Sequence, residues 1–327
     1  KITSFIIDDE AVVEQPVINE EAGTIVFAVN EEVESLKFTP IIEISEGATI
    51  TPASGVAQDF SNNKKVTYTV TAEDGTVKVY TAFVEGTRKV LKYSFEDWKE
   101  GSKNDELLPK DLWAGSAAGA GILGGTLLRK ETREDGTYAA KLITFEYPNE
   151  PNSLVPKITA GSIFIGKFDM MPALQGDRLS CTKFGLDAET VSLGGKPLRF
   201  KGVYKYESGS NYLDASNYED VKPVDIKDKG QIQAVLYKVQ TGEDGKEIVL
   251  TGHDVNTSEL RVAVANIIVE DIKEYTPFNI EFEYLQEYDR NAKYKFAIVC
   301  SSSKDGDLFK GAGGSTLIVD EFEVICE

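Results

Sequence analysis

Apolar and polar residues alternate along most of this chain. In FNIEFEY, Phe278, Ile280, Phe282 and Tyr284 fall on one phase, and Asn279, Glu281 and Glu283 on the other. That is the two-residue period of a strand with one buried face. The same reading makes strands of LKYSF, AAKLITF, SIFIGKF, LRFKGVYKY, QIQAVLYKV, KYKFAIV and TLIVDEFEVI. Towards the amino terminus, ITSFII, TIVFAV, LKFTPIIEI and ATIT are shorter strand candidates separated by turn residues. VTYTVTAEDGTVKVYTAFV reads as a hairpin turning at Asp74-Gly75, a dipeptide suited to a tight hairpin turn. No stretch of a dozen residues keeps a helical 3.6 period.

The pattern divides the chain in two. Residues 1–88 read as an immunoglobulin-like β-sandwich of short strands, with Glu85 to Lys89 as a short linker. Residues 89–327 read as a larger jelly-roll β-sandwich. The expected fold class is therefore all-β. Both tryptophans and all three cysteines lie in the larger region, so function is sought there. The first 88 residues, by their lack of any site-like cluster, read as a spacer or adhesion module. Three polar loops interrupt the larger region: GSAAGAGILGG, ESGSNYLDASNYEDVKP and SSSKDGDLFKGAGGS. Long loops on a rigid scaffold are where binding residues concentrate.

Charge narrows the partners. With 54 acidic and 35 basic residues the net charge is −19. Such a field repels nucleic acid and anionic membrane surfaces. No apolar run reaches the roughly 18 residues of a membrane-spanning helix. The chain starts at Lys1 rather than Met, which reads as a processed form, with a secretory leader removed, or as a truncated one. A single histidine, His253, rules out zinc sites built from several histidines. It stands in a turn-like stretch without a nucleophile motif and reads as a surface residue. Cys181, Cys300 and Cys326 match no metal spacing. Cys300 and Cys326 stand on neighbouring terminal strands and could pair; buried free thiols are the expectation.

Several groups could carry chemistry. In LRFKGVYKY, Arg199, Lys201 and Lys205 share the phase opposite Leu198, Phe200, Tyr204 and Tyr206. Three cations beside aromatics suit sugar hydroxyls, uronates or sulfates; they equally suit charge balance against Glu281 and Glu283. Trp113, Tyr212 and Tyr218 are candidates to stack on sugar rings. Asp305-Gly306-Asp307 lacks the rest of a calcium loop and reads as a turn. Ser301 to Ser303 have no partner base and read as structural. In LIVDEFEV, Asp320 falls on the same phase as Ile318, Phe322 and Val324, an inward carboxylate that requires compensation. The terminal strands YSFEDW and LIVDEFEV are similar to those of carbohydrate-binding jelly rolls, in which a Phe-Glu pair and an inward Asp hold calcium. That resemblance makes Glu96 and Asp320 candidate ligands of a structural calcium ion. A cation from Arg or Lys, or loop amides, would compensate Asp320 as well.

Taken in order, YSFEDW, GSIFIGKF, LRFKGVYKY, SSSKDGDLFKGAGGS and LIVDEFEV resemble the putative carbohydrate metabolism domain, a family of secreted proteins and lipoproteins from gut bacteria. The resemblance covers roughly residues 90–326. It implies a secreted, periplasmic or outer-surface lipoprotein that takes part in glycan use, with an oligo- or polysaccharide as partner. No catalytic residues come with it. Non-catalytic glycan binding is the first expectation. A glycoside hydrolase is the alternative, and it requires two facing carboxylates. A structural or adhesion component, lacking a concave site, is the third.

Overall fold

A computed structural model of the chain describes residues 1–152 and 155–327. It is all-β, as the alternation requires. The chain forms two compact units, one of Lys1–Val90 with Ile325–Glu327 and one of Leu91–Val324.

In the first unit, the 66–71 and 77–93 strands pair antiparallel. Gly75 takes a left-handed φ of 85° in the turn between them. Alternation along the first strand buries Val66, Tyr68 and Val70. Phe27, Phe38 and Phe60 meet edge-on in the core, with Phe27 at 5.8 Å from Phe38 and 5.1 Å from Phe60. The stretch expected to be a linker is strand instead. Val77–Tyr93 continues straight through it, and Gly86, Thr87 and Arg88 pair in parallel with Ala28, Val29 and Asn30. Its single glycine does not interrupt the β-branched and charged residues around it, so the backbone stays extended.

The second unit has two main sheets. One runs in the order Trp113–Gly115, Ser162–Phe168, Tyr294–Ser301, Gly230–Lys238, Arg261–Val269 and Glu283–Tyr284. The other runs Leu128–Thr132, Tyr138–Ile143, Thr316–Cys326, Pro197–Glu207 and Ile272–Glu281. Phe200, Phe278 and Phe322 cluster on the second sheet, each ring 5.1–5.7 Å from the next. Phe282 and Phe296 approach to 6.4 Å. RVAVANIIV, at Arg261–Val269, is a strand that the alternation did not mark. Ala263, Ala265 and Val269 are buried on one phase, and the other phase, Val262, Val264, Asn266 and Ile268, is also mostly apolar although it becomes exposed at Asn266 and Ile268, so the pattern lacks a regular polar phase. Cys181, Cys300 and Cys326 are buried and free.

Asp320 points inward as expected and is 2 % exposed. Its compensating cation is Arg133, whose Nη1 donates to Oδ2 at 2.5 Å. Arg133 also pairs with Glu321 and lies over the Tyr275 ring at 4.7 Å. Glu321 has a left-handed φ of 55°, and its amide donates to Asp320 Oδ1 at 2.8 Å. The closing strand therefore kinks where its buried charge sits. Asp320→Ala would leave the half-buried guanidinium with Glu321 alone. We expect a loss of about 2–4 kcal/mol, read as a melting temperature lower by several degrees. An unchanged melting temperature would show that Asp320 does not help close the sandwich.

Candidate functional site

The site begins from sheet register. Ser162 pairs with Ser301, and Ser301 pairs with Gln231. In the adjacent row, Val299 pairs with Gln233, and Gln233 pairs with Asn266. Residues paired across antiparallel strands project from the same face. A band of hydroxyls and amides therefore crosses the first sheet perpendicular to its strands. Four strands at about 4.8 Å spacing give it a length of about 14 Å. Gln231 Nε2 donates to Asn266 Oδ1 at 2.9 Å, and Gln233 Nε2 donates to Asn256 Oδ1 at 3.2 Å. These bonds fix the amides before any ligand arrives.

A cavity of about 180 Å³ lies over this band, lined by Ser162, Gln231, Gln233, Asn256 and Ser301 among others. Three loops contribute to its walls. The glycine-rich loop after Trp113 supplies Gly119 and Leu123. It is tied down where the Ser116 hydroxyl donates to the Ala160 carbonyl at 2.8 Å and the Ser162 amide donates to Ser116 Oγ at 3.0 Å. The 178–182 segment supplies Arg178, Leu179 and Thr182, and the SSSKDGDLFKGAGGS loop supplies Lys304, Gly306, Asp307 and Phe309.

That last loop is held by a buried carboxylate, Asp228, which is 2 % exposed. Oδ2 accepts the Ser303 hydroxyl at 2.6 Å, the Ser315 hydroxyl at 2.7 Å and the Ala312 amide at 2.8 Å. Oδ1 accepts the Lys229 amide at 2.8 Å. Thr144 Oγ1 lies 2.7 Å from Ser302 Oγ and 2.6 Å from Ser303 Oγ, and the Tyr206 hydroxyl donates to the Ser302 carbonyl at 3.0 Å. Burial pushes the Asp228 carboxyl upward in pKa, and these donors oppose the shift. Gly311 is required here. It holds a φ of 157°, and a Cβ on it would meet Ser303 Oγ at 2.4 Å. Ser302 and Ser303 are thus structural, as their lack of a base implied, and Asp305-Gly306-Asp307 is a turn that enters a single 3₁₀ turn.

The tethered loop presents Phe309 in the left-handed region, at φ 57°. A non-glycine residue there costs on the order of 1–3 kcal/mol. Such strain persists only where neighbours enforce it; here the Phe309 amide donates to the Gly306 carbonyl and its own carbonyl accepts the Ala215 amide. The Arg178 guanidinium lies 5.3 Å from the Phe309 ring centroid and donates to the Asn152 carbonyl at 2.8 Å. Burial lowers the Arg178 pKa, with Tyr218 and Cys181 acting against that. Asp307, half-buried in the lining, has its pKa raised by burial, opposed by the Leu308 amide.

The residues singled out from the sequence sit mostly elsewhere. Arg199 is spent on Glu281 at 2.7 Å and Asn279, Lys201 on Glu323 at 3.1 Å, and Lys205 lies over the Tyr275 ring at 4.1 Å. Charge balance accounts for Arg199 and Lys201, and a ring face holds Lys205. Trp113 is 6 % exposed and packs on Tyr93 and Phe95. Tyr212 is 5 % exposed, its hydroxyl donating to Asp305. Both are packing residues, because their rings have no open face. Tyr218 is 39 % exposed and close enough to Arg178 to influence it. Glu96 is exposed and accepts the Tyr138 amide. A calcium ion at Glu96 and Asp320 would have to displace Arg133. Among the described residues no group of three His, Cys, Asp or Glu is placed to hold a metal. Gln231, Gln233, Asn256 and Phe309 were not singled out from the sequence. The signal available was QIQ, where two amides occupy one phase of a strand otherwise apolar on both.

A second cavity, of about 220 Å³, is lined by Asp187, Glu189, Glu247 and Tyr294 among others. Lys295, 7 % exposed, lies between two of these carboxylates, 2.6 Å from Asp187 and 2.9 Å from Glu247. Burial works against its charge, and the two hydrogen bonds outweigh burial to raise its pKa. The two acids therefore flank a fixed cation.

Residues 67–325 match the family described as "Putative carbohydrate metabolism domain", and residues 2–84 match the one described as "SGBP, N-terminal". No curated protein matches. Two solved structures are similar over long stretches. One is titled as a putative glycoside hydrolase from Bacteroides thetaiotaomicron VPI-5482; it is 30% identical, covers 100% of this chain and 96% of its own, and has a TM-score of 0.62. The other, titled as a putative glycoside hydrolase from Bacteroides vulgatus ATCC 8482, is 28% identical, with 72% and 98% covered and a TM-score of 0.59.

The tethered loop gives a pH prediction. Asp214 bonds to Lys310, at 2.8 Å, directly after Phe309. The lysine, and then Ser216, lower its pKa from 3.8 to about 2. A depressed carboxyl stabilises above its unfolded pKa and loses that contribution as pH falls through the folded one. The stability difference between the wild type and Asp214→Asn should hold from neutral pH down to about 4 and vanish between there and about 2. A difference independent of pH in thermal scans would disprove the ion pair.

Proposed function

The chain belongs to the putative carbohydrate metabolism domain family, and from that premise we propose that it is a non-catalytic glycan-binding protein working in carbohydrate utilisation outside the cell or at its surface. The family gives a carbohydrate-related role; binding in place of cleavage is our reading. The observation behind it is the lining of the first cavity. It holds the amide and hydroxyl band and the Phe309 ring, with Asp307 as its one carboxylate. Hydrolysis of a glycoside needs two carboxylates flanking the bond. Fixed amides and hydroxyls suit sugar hydroxyls, and an aromatic face suits the apolar face of a sugar ring. The match of the first unit to the "SGBP, N-terminal" description supports the surface location.

The hydrolase reading has two observations in its favour: both similar solved structures carry the description of a putative glycoside hydrolase, and the Asp307 pKa is raised by burial, the property of a general acid. It lacks the facing partner in that cavity. In the second cavity the paired acids are already bound to Lys295.

The test is a glycan array followed by titration of the best glycan. Gln231→Ala and Phe309→Gly should each weaken binding about ten-fold, the equivalent of roughly one hydrogen bond or ring contact. Phe309→Gly relieves the left-handed backbone, so its melting temperature should fall little. Arg199→Ala and Lys201→Ala should bind as the wild type does, and EDTA should change nothing. Release of new reducing ends, abolished by Asp307→Asn, would establish the hydrolase instead. No binding to any glycan would leave the adhesion reading.

A further inference from the structure

The polar band is only part of the lining of the first cavity. Leu123, Phe168, Met170, Leu179, Phe184 and Phe309 also line it and supply an apolar wall. Exposed apolar residues flank several of them in the chain. Ile122 beside Leu123 is 74 % exposed, Met171 beside Met170 is 57 % exposed, and Leu308 beside Phe309 is 44 % exposed. Hydroxyls pressed against such walls lose water without gaining partners, which is costly. A bare polyol would satisfy the band and leave the wall unused. An unsubstituted hydrocarbon or arene would do the reverse, leaving Gln231, Gln233 and Asn256 facing apolar surface. Band and wall together describe an amphipathic ligand.

We propose that this cavity recognises a saccharide carrying an aromatic substituent, with the sugar on the amide and hydroxyl band and the arene against the apolar wall. The inference rests on the glycan-binding reading and names the class of glycan. Leu123, which is 39 % exposed, and Phe309 are the lining residues against which the arene would rest. Asp307, Lys304 and Arg178 put charges of both signs in the lining, with Lys304 paired to Asp305 at 2.6 Å and Arg178 over the Phe309 ring.

The test is calorimetry on the full chain with matched probes: methyl and 4-nitrophenyl glycosides of glucose, galactose, mannose and xylose, and 4-nitrophenol alone. For at least one sugar the aryl glycoside should bind ten-fold or more tightly than its methyl partner, and more tightly than 4-nitrophenol. Leu123→Ser, at a position 39 % exposed, should erase most of that advantage at an unchanged melting temperature. Equal binding of aryl and methyl partners would overturn this inference and leave the glycan reading standing. Binding of 4-nitrophenol as tight as that of the conjugate would overturn it as well, by removing the sugar from recognition. If no glycoside of either kind bound, the inference would fail, and the glycan array would decide the broader reading on its own.

Discussion

Asp228 is the constraint on which the candidate site depends. A carboxylate shielded from water is costly unless its oxygens find donors, and this one finds four, two side-chain hydroxyls and two backbone amides. Three of the donors, Ser303, Ala312 and Ser315, belong to a single loop. Each of those three bonds therefore both satisfies the carboxylate and fixes that loop. The loop in turn carries Lys304, Asp307 and Phe309 into the cavity. A buried polar network of this kind is stable only when complete, and completeness is what gives the loop one conformation. The strain at Phe309 follows from it: a loop anchored on both sides can hold a ring in a backbone region it would otherwise leave.

On the proposed reading, binding divides between a rigid part and a tethered part. The sheet contributes amides and hydroxyls at positions set by strand register, each already bonded to a neighbour. The loops contribute apolar walls. Rigid polar groups give specificity because they need not be ordered when ligand arrives, and apolar walls add affinity without direction. On that reading the site differs from a hydrolase's, whose two carboxylates would have to face each other across the same space.

The sequence revealed the fold more readily than the site, for a physical reason. Strand alternation is local, and it located FNIEFEY, the Asp74-Gly75 hairpin and the inward Asp320. It missed Arg261–Val269, where apolar residues such as Val264 and Ile268 on the more exposed phase hide the alternation, and it took Glu85–Lys89 for a linker because a glycine and charges look like one. Asp320 could be read as a buried charge in need of a partner. That the partner is Arg133, 187 positions away in the chain, depends on sheet order, which no local pattern holds. The row of Arg199, Lys201 and Lys205 misled for the same reason, since Glu281 and Glu323 neutralise its first two cations only once the strands are paired. Asp228 stood in a polar stretch, VDIKDKG, that looks like any exposed loop. The amide band was present in the sequence only as two glutamines; it becomes a site when four strands line up.

The most direct measurement is amide hydrogen exchange on Asp228→Asn, with affinity for the best array glycan measured on the same sample. Asparagine keeps the shape and removes the charge that the hydroxyls and amides are donating to. The account predicts that residues 301–315 lose protection while the two sheets keep theirs, and that glycan affinity falls with the loop. Glycan affinity that survived intact while the loop lost its protection would contradict it, because the site would then not depend on the loop that Asp228 holds.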